Sequence, residues 1–304
     1  QWFEPMTYFG NNTLKGLFDY EPVQKDWKPE YEPLFMGVQA CMWTEFCNTP
    51  EDVFYLTFPR LGALAEIAWV SKGTKNWNSF LKGLDNYNAH LACKGIRYAH
   101  SMFNIQHTIT TETTGKLKVK LECERPDVEI RYTTDGTEPT STSTLYEKEL
   151  IIEKDTDIKA ATFSQNKQMG ELLVLPIHWN KATSKPFIHA DAGMDILVNG
   201  LRGSLKYTDF EWYTGQLSKS ISFTIDLQKP ESMKQFTVGC ITNYGMGVHK
   251  PRSLKVEVSN DNVTFTEIGK LTFTDKEIFK EGNFIENLSV ETDEITGQFV
   301  KFTL

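Results

Sequence analysis

The chain has no long apolar run, no block of like charge and few cysteines or histidines, and each shortage removes a class of function. No window reaches the roughly 18 to 20 apolar residues that a helix needs to cross a bilayer. The opening Gln1-Trp2-Phe3-Glu4-Pro5 also lacks the basic-then-apolar pattern of a secretory signal. Acids and bases are interspersed and the formal net charge is -8, which opposes binding to a phosphate backbone or an anionic membrane surface. No nucleic-acid partner and no membrane span are therefore expected. The five cysteines (Cys41, Cys47, Cys93, Cys123, Cys240) are scattered and without Cys-x-x-Cys spacing, so they read as buried thiols rather than a zinc site or a disulfide framework. The six histidines (His90, His100, His107, His178, His189, His249) show no ligand spacing, and neither a metal nor a cofactor is expected. Three Asn-x-Ser/Thr sequons, at Asn11, Asn262 and Asn287, are what a chain of this length yields by chance.

What is present is apolar content: 304 residues, 40% hydrophobic and 12% aromatic, supply two or three independent cores. Over the first hundred residues the pattern is α/β. Leu34-Phe35-Met36-Gly37-Val38-Gln39-Ala40-Cys41-Met42-Trp43 reads as a parallel strand covered on both faces. Trp43 and Glu45 then fall at its C-terminal tip, where a parallel sheet faces its ligand crevice, and a ring beside a carboxylate suits stacking a sugar and holding its hydroxyls. The plainer reading places Trp43 in a core and leaves Glu45 as a loop charge. Thr49, Pro50 and Asp52 supply an N-cap, a first-position proline and a variant capping box. The helix they start runs to about Val70 with Val53, Leu56, Leu61, Leu64 and Ala65 facing the core, kinked over 58–60 by Pro59. A second helix over 77–93 presents Phe80, Leu81, Leu84, Tyr87 and Leu91 on one side before Gly95 stops it.

Near residue 104 the period changes from helical to two. Leu117-Val119-Leu121 and Val128-Ile130-Tyr132 alternate, Asp135-Gly136 turns, and 151–152, 158–161 and 172–175 add short strands of a small sandwich ending near Trp179. After the polar stretch 181–186, alternation resumes in Ile221-Phe223-Ile225-Leu227 and Leu254-Val256-Val258, with 259–262 as a turn. Short strands at this spacing favour a jelly-roll-like sandwich.

Three ordered blocks carry a resemblance. Gly37-Val38-Gln39-Ala40-Cys41-Met42-Trp43-Thr44-Glu45, then 58–61 with 63–69, then 77–98 resemble the C-terminal part of the glycoside hydrolase family 20 barrel, the β-N-acetylhexosaminidases. Ile130-Arg131-Tyr132-Thr133-Thr134-Asp135-Gly136 and its sequel are similar to the small β domain that often follows that barrel. Leu197-Val198-Asn199-Gly200, Trp212, 224–227 and 251–261 are similar to coagulation-factor 5/8 type, discoidin-like modules. The implied architecture is a multidomain α/β plus all-β chain: the C-terminal part of a (β/α)8 TIM barrel over 1–103, a small Ig-like sandwich over 104–180 and a discoidin-like jelly roll over 181–304.

The resemblance also implies chemistry. In this family the substrate's 2-acetamido oxygen attacks the anomeric carbon, an Asp orients it and an adjacent Glu protonates the leaving oxygen. The family's His-x-Gly-Gly-Asp-Glu segment is absent, and the one adjacent pair, Asp293-Glu294, reads as a solvated turn. No catalytic residue is therefore assigned; the pair is expected upstream in the same enzyme, and this chain alone is expected to be inactive. Trp43 would wall the acetamido pocket and Glu45 would accept from sugar hydroxyls. Tyr8 would bond the acetamido oxygen or else be a packing aromatic, since Gly10 stands where the family often has an acid. Trp212, Tyr213 and Tyr244 are candidate glycan contacts in the third region, with core packing as the other reading. The loop near Asn199-Gly200 offers carbonyls that could hold a calcium ion but lacks the paired carboxylates of a strong site, which leaves calcium open there. The implied partner is a glycan with a terminal N-acetylhexosamine, and the implied location is secreted, periplasmic or cell-surface. A non-catalytic carbohydrate-binding or adhesion protein is the alternative.

Overall fold

The computed structural model describes residues 6, 7, 10–44, 47–71, 73–111, 115–214 and 220–304. A two-residue ladder, β1 (Met6–Thr7) with β2 (Gly10–Asn11), leads into α1 (Leu14–Asp19), where the Thr13 hydroxyl caps Gly16 N at 3.0 Å. Helix α2 (Pro50–Thr57) starts as its sequence requires: Thr49 Oγ1 accepts from Asp52 N at 3.2 Å and Asp52 Oδ2 accepts from Thr49 N at 3.0 Å. The expected kink is a complete break, because Pro59 has no N–H to continue the ladder. α3 (Arg60–Trp69) follows it, and the Phe58 carbonyl accepts from Ala99 N at 2.9 Å instead. The break resets the helical phase, so Leu61 and Ala65 face outward and Ala63 and Ile67 take the core positions.

Helix α4 (Trp77–Cys93) has the bounds expected of it, capped by Asn76 Oδ1 on Ser79 N at 2.9 Å and ended by Gly95 at φ +67°. Its Phe80, Leu81 and Leu84 pack with Leu14 and Phe18 of α1, Ala63 of α3, and Met102 and Phe103.

The apolar run 34–43 is not a strand. A 3₁₀ turn over Pro29–Leu34 precedes it, and the chain beyond makes no ladder. Leu34, Met36 and Trp43 are 72%, 101% and 69% exposed. A parallel strand exists only through hydrogen bonds to neighbours, and among the described residues none lies beside it, so the expected barrel sheet is not formed here. The thiols also differ from expectation: Cys41 and Cys93 are exposed, the one on this uncovered run and the other on the outer side of α4, and Cys47, Cys123 and Cys240 are only partly buried.

From Ile105 the chain is antiparallel β. β3 (Ile105–Thr111), β4 (Leu117–Cys123) and β7 (Leu150–Ile152) form one sheet in the order β3-β4-β7. β5 (Glu129–Thr133), β6 (Thr144–Leu145), β8 (Thr156–Ser164), β9 (Lys167–Gln168) and β10 (Leu173–Ile177) form the second. Leu117, Val119 and Leu121 from the first and Ile158, Ala160 and Leu175 from the second share one core, the small sandwich. Alternation made these strands because every second side chain enters that core.

The third unit is a five-stranded antiparallel sheet, β11 (Phe187–His189), β12 (Ser222–Asn243), β15 (Asn283–Thr303), β13 (Ser253–Ser259) and β14 (Thr266–Thr272), with a short α5 (Asp275–Ile278) before β15. The β12–β15 ladder shifts register between Asp226 and Glu231 and again between Met233 and Gln235. Phe223 and Ile225 before those bulges share a core with Phe236, Leu288 and Val290 beyond them, so the sheet folds over on itself. A Cβ on Gly269 of β14 would lie 2.6 Å from Val290 Cγ1, which shows how closely the two layers meet.

Candidate functional site

Of the three residues expected to meet a sugar in the first region, Tyr8 and Glu45 lie outside the described residues. Trp43 is described, and its indole stands in the open at the end of the uncovered run. Just beyond it Cys47 N donates to Thr44 O at 3.1 Å, ahead of α2. Thr44, Asn48, Val53 and Phe54 line a depression of about 400 Å³ there. At the N-terminal end of the run, Trp27, Tyr31, Leu34 and Met36 line a second of about 410 Å³. The carboxylate beside the first is already engaged: the Thr49 hydroxyl and the N–H groups of Asn48 and Thr49 hold the Asp52 carboxyl below its ordinary value, with Arg97 adding a smaller pull. A capping carboxylate stabilised as an anion is a poor proton donor. Asp293 and Glu294 are exposed within β15 rather than in a turn between strands: they fall where the ladder with β12 shifts register, between the pairs Met233–Ile295 and Gln235–Glu291, and Glu294 pairs with Lys234 and accepts from Ser232.

The three aromatics of the third unit have different environments. Trp212 lays its indole on Gly203, where a Cβ would come within 2.3 Å of Nε1, and that Nε1 donates to Ser204 O at 2.9 Å. Tyr213 packs against the third core and donates from its hydroxyl to Asp191 Oδ2 at 3.3 Å. Tyr244 is 45% exposed, its ring edge-on to His249, which in turn meets Phe279. Asn199 and Gly200 do not gather carboxylates: among the described residues no group of His, Cys, Asp and Glu is arranged to hold a metal. Asn199 Nδ2 donates instead to Glu211 Oε2 at 2.8 Å.

Two polar clusters lay beyond sequence reasoning. Arg125, 5% exposed, donates from Nε and Nη2 to Asp127 and from Nη1 and Nη2 to Asp85 of α4, with its guanidinium over the Phe103 ring. Burial opposes its charge, but the two carboxylates outweigh burial and hold its pKa above the ordinary value. Glu211 meets His107 of β3, Oε1 to Nε2 at 2.9 Å, across 104 residues of sequence. No spacing rule reaches that far; the one available signal was a histidine on the inward side of the alternating strand β3.

Two segments of the chain match family models: residues 1–72 the glycosyl hydrolase family 20 catalytic domain, and residues 109–173 the chitobiase/beta-hexosaminidase C-terminal domain. A beta-hexosaminidase of Porphyromonas gingivalis (strain ATCC BAA-308 / W83) is 30% identical over 187 residues, 60% of this chain and 23% of that protein. Beta-hexosaminidase subunit alpha of Mus musculus is 35% identical over 96 residues, 32% of this chain and 18% of that protein. This chain therefore spans less than a quarter of the length of either relative. Among solved structures, the C-terminal domain of a chitobiase from Bacteroides fragilis is similar at 15% identity and a TM-score of 0.26, covering 41% of this chain and 83% of that one. Residues 1–72 thus match part of a glycosyl hydrolase family 20 catalytic domain, and residues 109–173 match a chitobiase/beta-hexosaminidase C-terminal domain.

Proposed function

We propose that this chain is the C-terminal portion of an exo-acting β-N-acetylhexosaminidase, which removes terminal N-acetylhexosamine residues from glycans by substrate-assisted, retaining hydrolysis. The observation that carries the reading is the order of the two family matches, catalytic-domain sequence and then the C-terminal domain. In this reading the Asp-Glu pair that orients the acetamido group and protonates the leaving oxygen is supplied by sequence outside residues 1–304. The apolar run 34–43 becomes a barrel strand once its neighbours are present, which accounts for Leu34, Met36 and Trp43 standing exposed here. Trp43 then walls the acetamido pocket, Glu45 accepts from sugar hydroxyls and Tyr8 reaches the acetamido oxygen.

The third unit, in the same reading a discoidin-like module, adds a glycan contact. Tyr244 is the best placed of its three candidate aromatics, because Trp212 and Tyr213 spend their polar atoms and ring faces on their own chain. A glycan-degrading enzyme of this kind acts outside the cytoplasm, at the cell surface, in the periplasm or after secretion.

The test is release of chromophore from an aryl N-acetyl-β-glucosaminide by this chain and by a form extended upstream. Activity is expected in the extended form and not in residues 1–304. Turnover by residues 1–304 would refute the division of the site. An inactive extended form with an intact barrel and no Asp-Glu pair would favour the carbohydrate-binding alternative.

A further inference from the structure

The sharpest polar feature that this function leaves unused lies between the two β units. β3 is an edge strand of the small sandwich, and its inward-facing positions run Ile105, His107, Ile109. An imidazole on the inner side of an apolar sandwich needs a partner, and the third unit supplies it. Glu211 Oε1 takes His107 Nε2 at 2.9 Å, and Glu211 Oε2 accepts from Asn199 Nδ2 at 2.8 Å. Asn199 is 3% exposed and uses its remaining oxygen on Leu201 N at 2.8 Å. Leu201 itself packs against the core of the small sandwich, and His178 N donates to Gly200 O at 2.9 Å. The polar stretch that the sequence marks as a boundary is buried beside these contacts: Thr183 and Ser184 are each 1% exposed, and Ser184 Oγ donates to Lys116 O at 2.9 Å.

We propose that Glu211, His107 and Asn199 form an acid-sensitive clamp that fixes the 199–213 segment of the third unit onto the open edge of the small sandwich, joining the two units and holding the loop that carries Phe210, Trp212 and Tyr213. The chain beside the clamp supports this role. Asp209 accepts from both Ser204 N and Glu211 N, so the loop is tied to the residue that enters the clamp. Phe210 sits between the two ties, 61% exposed with φ +66°, a backbone conformation that a bulky residue holds only when its surroundings impose it. His107 and Glu211 are therefore positioning residues.

The acid dependence follows from the carboxylate. Burial raises its pKa, but the hydrogen bonds from His107 and Asn199 and the His107 charge outweigh burial and hold Glu211 below its ordinary value. His107 on β3 is the titratable group that faces it, and Asn199 is its neutral partner from the third unit. The clamp is thus complete above the usual carboxylate pKa of about 4.3 and is lost as pH falls through the lower folded value. The imidazole keeps a bond to the carboxylate at neutral pH whether or not it is protonated, since either form can donate from Nε2.

Amide hydrogen exchange across residues 1–304 tests the clamp. At neutral pH, Glu211→Ala and His107→Ala should each speed exchange at Leu201 and Glu211 at least tenfold while leaving amides in the centres of β8 and β12 unchanged. The double variant should be no faster than either single one, and Glu211→Gln should retain part of the protection. In the unsubstituted chain, with rates corrected for intrinsic exchange, the same two amides should lose protection as the Glu211 carboxyl titrates, and Glu211→Ala should abolish that dependence. Unchanged exchange at Leu201 and Glu211 in both alanine variants would overturn the proposal. So would additive effects in the double variant, or acid-induced loss of protection that persists without Glu211. Should an alanine variant fail to fold, Glu211→Gln and His107→Gln carry the same comparison, and the acid series on the unsubstituted chain stands alone.

Discussion

Replacing Arg125 with alanine should loosen the seam between α4 and the small sandwich. The guanidinium makes four hydrogen bonds of 2.6–3.1 Å to Asp85 and Asp127 and lies 5.0 Å from the Phe103 ring centroid. A hydrogen bond to a charged group contributes about 1.5–3 kcal/mol net, but four from one group are not additive. The carboxylate side chains are 54% and 55% exposed and rehydrate once the arginine is gone. The expected cost is therefore about 3 kcal/mol, the low end for breaking a buried ion pair. Lysine keeps the charge but cannot span both carboxylates, so Arg125→Lys should lose about half as much. Trp77 reports the event locally, because its Nε1 donates to Glu124 O at 3.0 Å, one residue from the arginine. Urea denaturation followed through a 19F label on Trp77 measures both variants. A loss under about 1 kcal/mol for alanine, or full stability with lysine, would refute the reasoning.

Three further outcomes rest on separate parts of the fold. A Cβ on Gly170 would stand 2.3 Å from Phe103 O, a carbonyl already held by Thr162 Oγ1 at 2.7 Å, so Gly170→Ala should cost more than about 2 kcal/mol in thermal denaturation. Gly83, in α4 with nothing within 4 Å of its would-be Cβ, should instead gain up to about 1 kcal/mol as alanine, which separates steric cost from a general intolerance of substitution. In the 259–264 turn, Asp261 accepts from Thr264 N, Val263 N and Ser259 Oγ, which hold its carboxyl at about 2. Its stabilising effect is complete above the ordinary carboxylate range and fades as pH falls through about 2, so its NMR titration should run that low, and a titration at the ordinary value would contradict the turn geometry.

How much was readable depended on the distance between interacting groups. The Thr49–Asp52 capping box and the bounds of α4 were legible because a cap and its helix lie within one turn. The alternation through Leu117, Val119 and Leu121, and through Leu254, Val256 and Val258, was legible because each buried face repeats every two residues. Leu61 and Ala65 were misplaced because their spacing was counted across Pro59, where the helix ends and restarts. In the candidate site, the motif around Trp43 was visible but its coverage was not, since a strand's neighbours come from elsewhere in the chain. The environments of Trp212 and Tyr213 were also out of reach: nothing in their spacing shows that Gly203, Ser204 and Asp191 occupy them.

The sequence alone determined the helical and alternating segments, the caps and turns that bound them, and the blocks that tie residues 1–72 and 109–173 to their families. Those features depend on backbone sterics and side-chain period within a few residues. Tertiary structure alone decided that Arg125 would find Asp85, and that His107 would find Glu211 from 104 positions away. A buried charge or an apolar face is stabilised only by the surface brought against it, and that surface is set by how distant segments pack rather than by their order in the chain.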